Sequence, residues 1–157
     1  MQKPPPTENP CLNIPVLSAG SSDDHVALAD IFLRMPWPLC PGTRWELKTS
    51  LGLSSALFAL RTHKIPIVLC DCDLGPVTWI EMLEQLRLLP SPPFLIVTSR
   101  LADDRLWAEA LNLGAYDVLA KPFEAKEVVR SLSLAWLQWT NQWKVPTRPR
   151  YRVRAAG

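Results

Sequence analysis

Three short apolar segments of the chain each end at a polar side chain that could take part in chemistry. IVLC is followed by Asp71, FLIV by Thr98 and YDVLA by Lys121. If these segments are neighbouring parallel strands, a carboxylate, a hydroxyl and an ammonium group meet at one edge of one sheet, where open α/β sheets bind their ligands. A carboxylate can accept a phosphoryl group, and an ammonium group can neutralise its charge. The spacing therefore predicts a site for phosphoryl transfer.

The elements that position these residues alternate between strand and helix. Apolar runs over 14–18 and 45–49, together with the three segments above, predict five strands. Apolar residues at helical spacing predict a first helix after Asp24 that ends before the proline-rich stretch 35–43, and further helices over 54–62, 77–89, 102–113 and 124–143. Strict alternation predicts an α/β fold, a doubly wound five-stranded parallel sheet with helices on both faces.

Length and composition predict one folded domain with a proline-rich segment before it and a basic segment after it. The chain has 157 residues, of which 48% are apolar, enough for a single core. We predict a disordered proline-rich lead-in over 1–12, the domain over 13–143 with a long last helix, and a disordered basic tail over 144–157. The tail could bind nucleic acid through its charge, although a solvated end is the interpretation that we favour. Its basic residues are Lys144, Arg148, Arg150, Arg152 and Arg154.

The cysteines and the hydropathy pattern predict a cytoplasmic protein. Four cysteines in a chain without a secretory leader fit reduced thiols better than disulfides. Cys70 and Cys72 lack the second pair of ligands that a structural zinc site needs. No apolar run approaches the ~20 residues that span a bilayer, so we expect no membrane partner.

The order Asp, Thr-Ser and Lys-Pro after the third, fourth and fifth predicted strands resembles the receiver domain of bacterial two-component response regulators. The resemblance implies a flavodoxin-like fold and a role in phosphorelay signalling rather than as an enzyme. It implies that Asp71 accepts a phosphoryl group from a histidine kinase or phosphotransfer protein. Thr98 would bond to the phosphoryl oxygen, and Lys121, before a commonly cis proline, would neutralise its charge. Without an output domain, such a stand-alone receiver would act through protein contacts.

The resemblance fails at the first predicted strand. Receiver domains normally carry two adjacent acids there, which together with the nucleophile hold Mg²⁺. The corresponding positions read Ala19-Gly20 or Gly20-Ser21 in this chain. Asp23 and Asp24 come shortly afterwards, where acids usually serve the start of a helix, and contact with a cation beside Asp71 is the alternative. We therefore expect weak Mg²⁺ binding and slow phosphorylation.

Two other functions fit part of the sequence. A pseudo-receiver of the same fold would bind proteins without being phosphorylated, and Val118 stands where the family often has an aromatic switch residue. The chain also resembles haloacid-dehalogenase-type phosphatases, in which Asp71 would be the nucleophile and Asp73 the general acid. That family needs an acidic pair after Lys121 and starts from the nucleophile strand, whereas here two strands precede it. We therefore rank the phosphatase last.

The last predicted helix carries a stripe of tryptophans at heptad-like spacing, Trp136, Trp139 and Trp143. A helix of twenty residues is ~30 Å long, whereas strands of five or six residues extend only ~17–20 Å. We predict that the end of the helix projects beyond the sheet and leaves Trp139 and Trp143 uncovered as an interaction surface, for instance in a homodimer. The alternative is that they fold back onto Trp107 or a proline-rich loop.

Overall fold

The computed structural model describes residues 11–74 and 79–143. Five strands alternate with five helices, as the sequence predicts. They are β1 (Leu12–Ala19), α1 (Ser22–Arg34), β2 (Thr43–Ser50), α2 (Leu53–Thr62), β3 (Ile67–Asp71), α3 (Trp79–Arg87), β4 (Phe94–Ser99), α4 (Asp104–Leu113), β5 (Asp117–Ala120) and α5 (Ala125–Trp143).

The strands form one parallel sheet in the order β2-β1-β3-β4-β5, which confirms the doubly wound α/β fold. One face packs against α2, α3 and α4, around buried residues such as Leu60, Met82 and Ala110. The other face packs against α1 and α5, around residues such as Leu28 and Leu132. Both faces are covered because every crossover between parallel strands carries a helix.

The central strand β3 shows how this arrangement positions the candidate nucleophile. All five of its residues are buried, as expected for a strand that is covered on both faces. Val68 and Cys70 belong to the core beneath α2, α3 and α4, whereas Ile67 and Leu69 belong to the core beneath α1 and α5. Because successive side chains point to opposite faces, Asp71 points to the α1 and α5 side.

The observed boundaries differ slightly from the predicted ones. Strand β1 begins at Leu12, inside the segment 1–12 that we predicted to be disordered. The rest of that lead-in up to residue 10, and the basic tail over 144–157, lie outside the described residues. Helix α4 ends as predicted at Gly114, whose φ of 108° is a left-handed conformation that glycine adopts without strain. None of the helices described is both long enough and apolar enough to cross a bilayer.

The prediction that Trp139 is uncovered is wrong. This side chain on α5 is only 6% exposed. Its indole Nε1 donates a hydrogen bond to the carbonyl oxygen of Pro92 at 3.1 Å, and the Lys64 ammonium lies 5.9 Å from the ring centroid. The proline-rich loop before β4 reaches over the helix and covers it, which is the alternative that the sequence left open.

The other two tryptophans of the stripe are less enclosed. Trp136 is half-buried and stacks on Trp139, with 5.9 Å between the ring centroids. Trp143 is 39% exposed. The predicted interaction surface therefore loses its central residue to the protein's own core.

Candidate functional site

Asp71 is the last residue of β3 and lies at the carboxyl edge of the sheet. It is only 6% exposed. Its Oδ1 accepts a hydrogen bond from the backbone N–H of Asp73 at 3.1 Å, and its Oδ2 lies 3.0 Å from Nζ of Lys121. A carboxylate buried to this extent needs a counter-charge, and Lys121 supplies it.

Thr98 and Lys121 come to the same edge from β4 and β5, the next two strands of the sheet. Thr98 is paired with Asp71 in the β3–β4 register and is 3% exposed. Lys121 directly follows β5, where its backbone N–H donates to the carbonyl of Ser99 at 2.9 Å. The Lys121–Pro122 peptide bond is cis. The three residues predicted from the strand ends are therefore brought together by the sheet.

A fourth side chain, Asp24, reaches this site from helix α1. The helix starts after Ser21, whose side chain accepts a hydrogen bond from the backbone N–H of Asp24 at 3.2 Å. The His25 ring donates from Nε2 to the carbonyl of Ser18 at 3.1 Å and ties the first turn of α1 to β1. Oδ2 of Asp24 lies 2.9 Å from Nζ of Lys121. Asp23, the other candidate acid, is exposed.

Gly20 provides the space that Asp24 occupies. A Cβ atom at Gly20 would lie 3.3 Å from Oδ2 of Asp24 and 3.6 Å from Cβ of Asp71. The absent side chain would therefore point into the site, toward the nucleophile. Because glycine leaves this volume empty, a carboxylate from the first turn of α1 can fill it.

The three charged side chains form a buried group with one excess negative charge. The exposed fractions are 7% for Lys121, 13% for Asp24 and 8% for Asp71. Burial by itself raises the pKa of Asp24, but the hydrogen bond and the charge of Lys121 outweigh it and hold that pKa below its ordinary value. Burial lowers the pKa of Lys121, but the bonds to Asp24 and Asp71 outweigh it and raise that pKa. Asp24 and Lys121 are therefore both charged at neutral pH.

The donor set does not match the magnesium site that the resemblance implies. Mg²⁺ is commonly held by carboxylates, and the family's site uses a pair of strand-borne acids with the nucleophile. Within residues 11–74 and 79–143, no group of three or more His, Cys, Asp or Glu side chains is placed to hold a metal ion. The cation between Asp24 and Asp71 is the ammonium of Lys121.

An open groove of about 420 Å³ lies beside the buried group. The exposed Arg100 brings a second positive charge to its wall. An anionic reactant could reach Lys121 through this groove. Its lining residues are Asp23, Asp24, Ala27, Arg100, Lys121, Pro122 and Phe123.

Reasoning from the sequence missed the contact between Asp24 and Lys121. It favoured a role at the helix start for Asp24, and it did not identify Gly20 as a source of space. One signal was available. A glycine where the family has an acid is followed four residues later by an aspartate, and four residues are about one helical turn.

The chain is similar to known proteins in both sequence and structure. The family model described as "Response regulator receiver domain" matches residues 46–133, more than half of the chain. The receiver domain of a Francisella response regulator superposes with a TM-score of 0.65 at 20% identity, covering 80% of this chain and 98% of that one. At this level of identity the superposition supports the fold alone.

Two curated proteins share sequence with part of the chain. A protein-glutamate methylesterase/protein-glutamine glutaminase of Desulfotalea psychrophila is 33% identical over 51% of this chain and 22% of its own length. The transcriptional regulatory protein ZraR of Klebsiella oxytoca is 33% identical over 58% of this chain and 21% of its own length. The chain thus spans about a fifth of the length of these relatives, so their whole-protein activities do not transfer to it.

Proposed function

Because the chain belongs to the response regulator receiver domain family, whose members act in two-component signalling, we propose that it receives a phosphoryl group on Asp71. The observation that carries the proposal is the ion pair between Asp71 and Lys121 at 3.0 Å, buried at the edge of the sheet. It combines a carboxylate nucleophile with a cation that can neutralise the negative charge of the transferred group.

The proposed reaction is a simple displacement. A carboxylate oxygen of Asp71 attacks the phosphorus atom of a phosphohistidine or an acyl phosphate, and an aspartyl phosphate forms. The bond from phosphorus to the donor's nitrogen or oxygen breaks, and the donor keeps that electron pair. The new phosphoryl group carries about two negative charges. Lys121 can neutralise one of them without leaving its place beside Asp71.

We propose that Thr98 responds to the new phosphoryl group by bonding to it. It is the register partner of Asp71 on the neighbouring strand, and neighbouring strands lie ~4.8 Å apart. A hydroxyl that turns to bond the phosphoryl oxygen would move the start of the β4–α4 loop, a local change with an effect at a distance. Val118, three residues before Lys121, is buried in the core beneath α2, α3 and α4, so an aromatic relay through that position is not part of the proposal.

The mechanism predicts slow phosphorylation. The cation that serves the reaction is Lys121, and a receiver without its acidic pair lacks the family's usual charge compensation. The alternative is a pseudo-receiver that binds its partners without phosphorylation. The exposed surface, including Trp143, would then carry the whole function.

The partners follow from the family. We propose a histidine kinase or a phosphotransfer protein as the donor, in the cytoplasm, where the four free cysteines stay reduced. The output would pass through protein contacts rather than catalysis. A homodimer through α5 would use Trp143 and the half-buried Trp136, because Trp139 is buried.

Phosphate transfer can be tested by incubating the protein with a small acyl phosphate and following its intact mass. We expect a slow gain of one phosphate in the parent protein and none in Asp71→Asn. Asp73→Asn is the matched control, since it removes the same charge from an exposed side chain two residues away and keeps the backbone bond to Asp71. It should be phosphorylated like the parent.

Three other results would each contradict the proposal in a different way. No mass gain in the parent would reject phosphoryl transfer and favour the pseudo-receiver. A gain that persists in Asp71→Asn would place the acceptor elsewhere. Continuous release of phosphate from generic phosphate esters, lost in Asp73→Asn, would instead revive the phosphatase alternative.

A further inference from the structure

Lys121 has two carboxylate partners in this protein, although phosphoryl acceptance requires only one. Its ammonium lies 3.0 Å from Asp71 and 2.9 Å from Asp24. The second partner is as close as the first, and all three side chains are largely buried. Coulomb interactions between charges withdrawn from water are screened less than those at the surface, so the bond to Asp24 affects how Lys121 can act.

An incoming phosphoryl group would compete with Asp24 for this ammonium. The group must bring its oxygens close to Asp71 and draw a hydrogen bond from Lys121. Asp24 already takes one such bond, and its fixed negative charge repels the anionic reactant at the same place. Both effects make the transfer slower than with Lys121 bound to Asp71 alone.

The space at Gly20 explains why Asp24 can hold this position. A Cβ atom there would come within 3.3 Å of Oδ2 of Asp24, closer than most carbon contacts, so the carboxylate would have to move. The bond between His25 and Ser18 also keeps the first turn of α1 against β1. The contact between Asp24 and Lys121 is thus built into the junction of β1 and α1.

We infer that Asp24 is a positioning residue that holds Lys121 between two carboxylates and thereby restrains the phosphorylation of Asp71. The inference rests on the proposed function. It assigns to Asp24 a role that acts through Lys121, and the glycine at position 20 supports that role by leaving room for the carboxylate.

The test compares Asp24→Asn with Asp23→Asn in the full chain. Both variants remove one acid from the first turn of α1, but only Asp24 bonds Lys121 in the structure. With a small acyl phosphate as donor, we expect Asp24→Asn to gain phosphate several-fold faster than the parent and Asp23→Asn to match it. An Asp24→Asn rate equal to or below that of the parent would overturn the inference, because the carboxylate would then be neutral or helpful.

A second measurement separates this inference from the proposed function. The pKa of Lys121, followed by NMR in lysine-labelled protein, should fall in Asp24→Asn and not in Asp23→Asn. If none of the three proteins gains phosphate, the proposed function fails, and the Lys121 titration decides the positioning role by itself. An unchanged Lys121 pKa in Asp24→Asn would overturn that role.

Discussion

At the carboxyl end of the sheet Asp24, Asp71 and Lys121 share a small buried volume, whereas near the opposite end of the sheet Trp139 packs beneath the loop before β4. Both regions bury groups that the sequence alone placed nearer to solvent. Asp24 is largely buried, and it forms an ion pair with Lys121. Trp139 donates a hydrogen bond to the carbonyl oxygen of Pro92 and lies against the side chain of Lys64.

The two regions differ in what burial does to stability. Burying a tryptophan removes a large apolar surface from water and stabilises the fold, and its single N–H is satisfied by Pro92. Burying charges costs desolvation energy, which their mutual attraction offsets only in part. We conclude that the tryptophan region stabilises the domain, while the charged region keeps reactive groups in place at little net gain. Four expected effects, the largest first, test this contrast and the charged site itself.

The largest effect is expected at Trp139. Trp139→Ala should lower the free energy of unfolding by about 4 kcal/mol, because it leaves a cavity beneath the loop before β4 and removes the bond to Pro92. Urea denaturation measures it. Trp143→Ala, on the same helix but 39% exposed, is the control and should cost less than about 1 kcal/mol. Equal losses in the two variants would show that burial does not distinguish them.

Lys121→Met should lower the free energy of unfolding by about 3 kcal/mol at pH 7, because it leaves two carboxylates buried without a cation. Lys126→Met, which removes the same charge from an exposed position on α5, should have little effect. Urea denaturation of both variants gives the comparison. A loss at Lys121 no larger than at Lys126 would contradict the buried ion pairs.

For Lys121→Met we also predict that the loss of stability depends on pH. The folded-state pKa of Asp24 is held below 3.8, so its contribution to stability is complete above that value and is lost as the pH falls through the folded-state pKa. Without Lys121, Asp24 loses the hydrogen bond and the charge that lower its pKa, so its carboxylate becomes easier to protonate. The destabilisation in Lys121→Met should therefore shrink as the pH falls from neutral toward 4. Denaturation midpoints at several pH values measure it, and a constant difference would count against the mechanism.

The smallest effect is expected at Gly20, and it tests the site without removing a charge. Gly20→Ala places a methyl group 3.3 Å from Oδ2 of Asp24 and pushes the carboxylate away by a few tenths of an ångström. The rate of phosphate gain should rise, by a smaller factor than in Asp24→Asn, since the negative charge stays nearby. Gly52→Ala, where an added Cβ meets nothing within 4 Å, is the control. A slower rate in Gly20→Ala alone would contradict the restraint by Asp24.

Sequence patterns were sufficient for the strand ends but not for the side chains that cross between elements. Asp71 and Thr98 meet at the carboxyl edge because each directly follows a continuous apolar run that predicts a buried parallel strand. The reach of Asp24 to Lys121 depends on how the first turn of α1 meets β1, and no local propensity specifies that angle. Trp139 was misjudged for a similar reason, since helix and strand lengths do not reveal a loop that folds over the helix end.

The sequence by itself determined the alternation of strands and helices, the parallel sheet and the three polar residues at its edge, because hydrophobic periodicity and turn residues act locally. Only the tertiary structure decided that Lys121 is shared by Asp71 and Asp24. Asp24 lies ninety-seven positions before Lys121 in the sequence. Only packing decided that Trp139 is covered by a loop forty-seven positions before it. Contacts between residues so distant depend on how whole elements pack, and a single sequence does not encode that geometry in any local pattern.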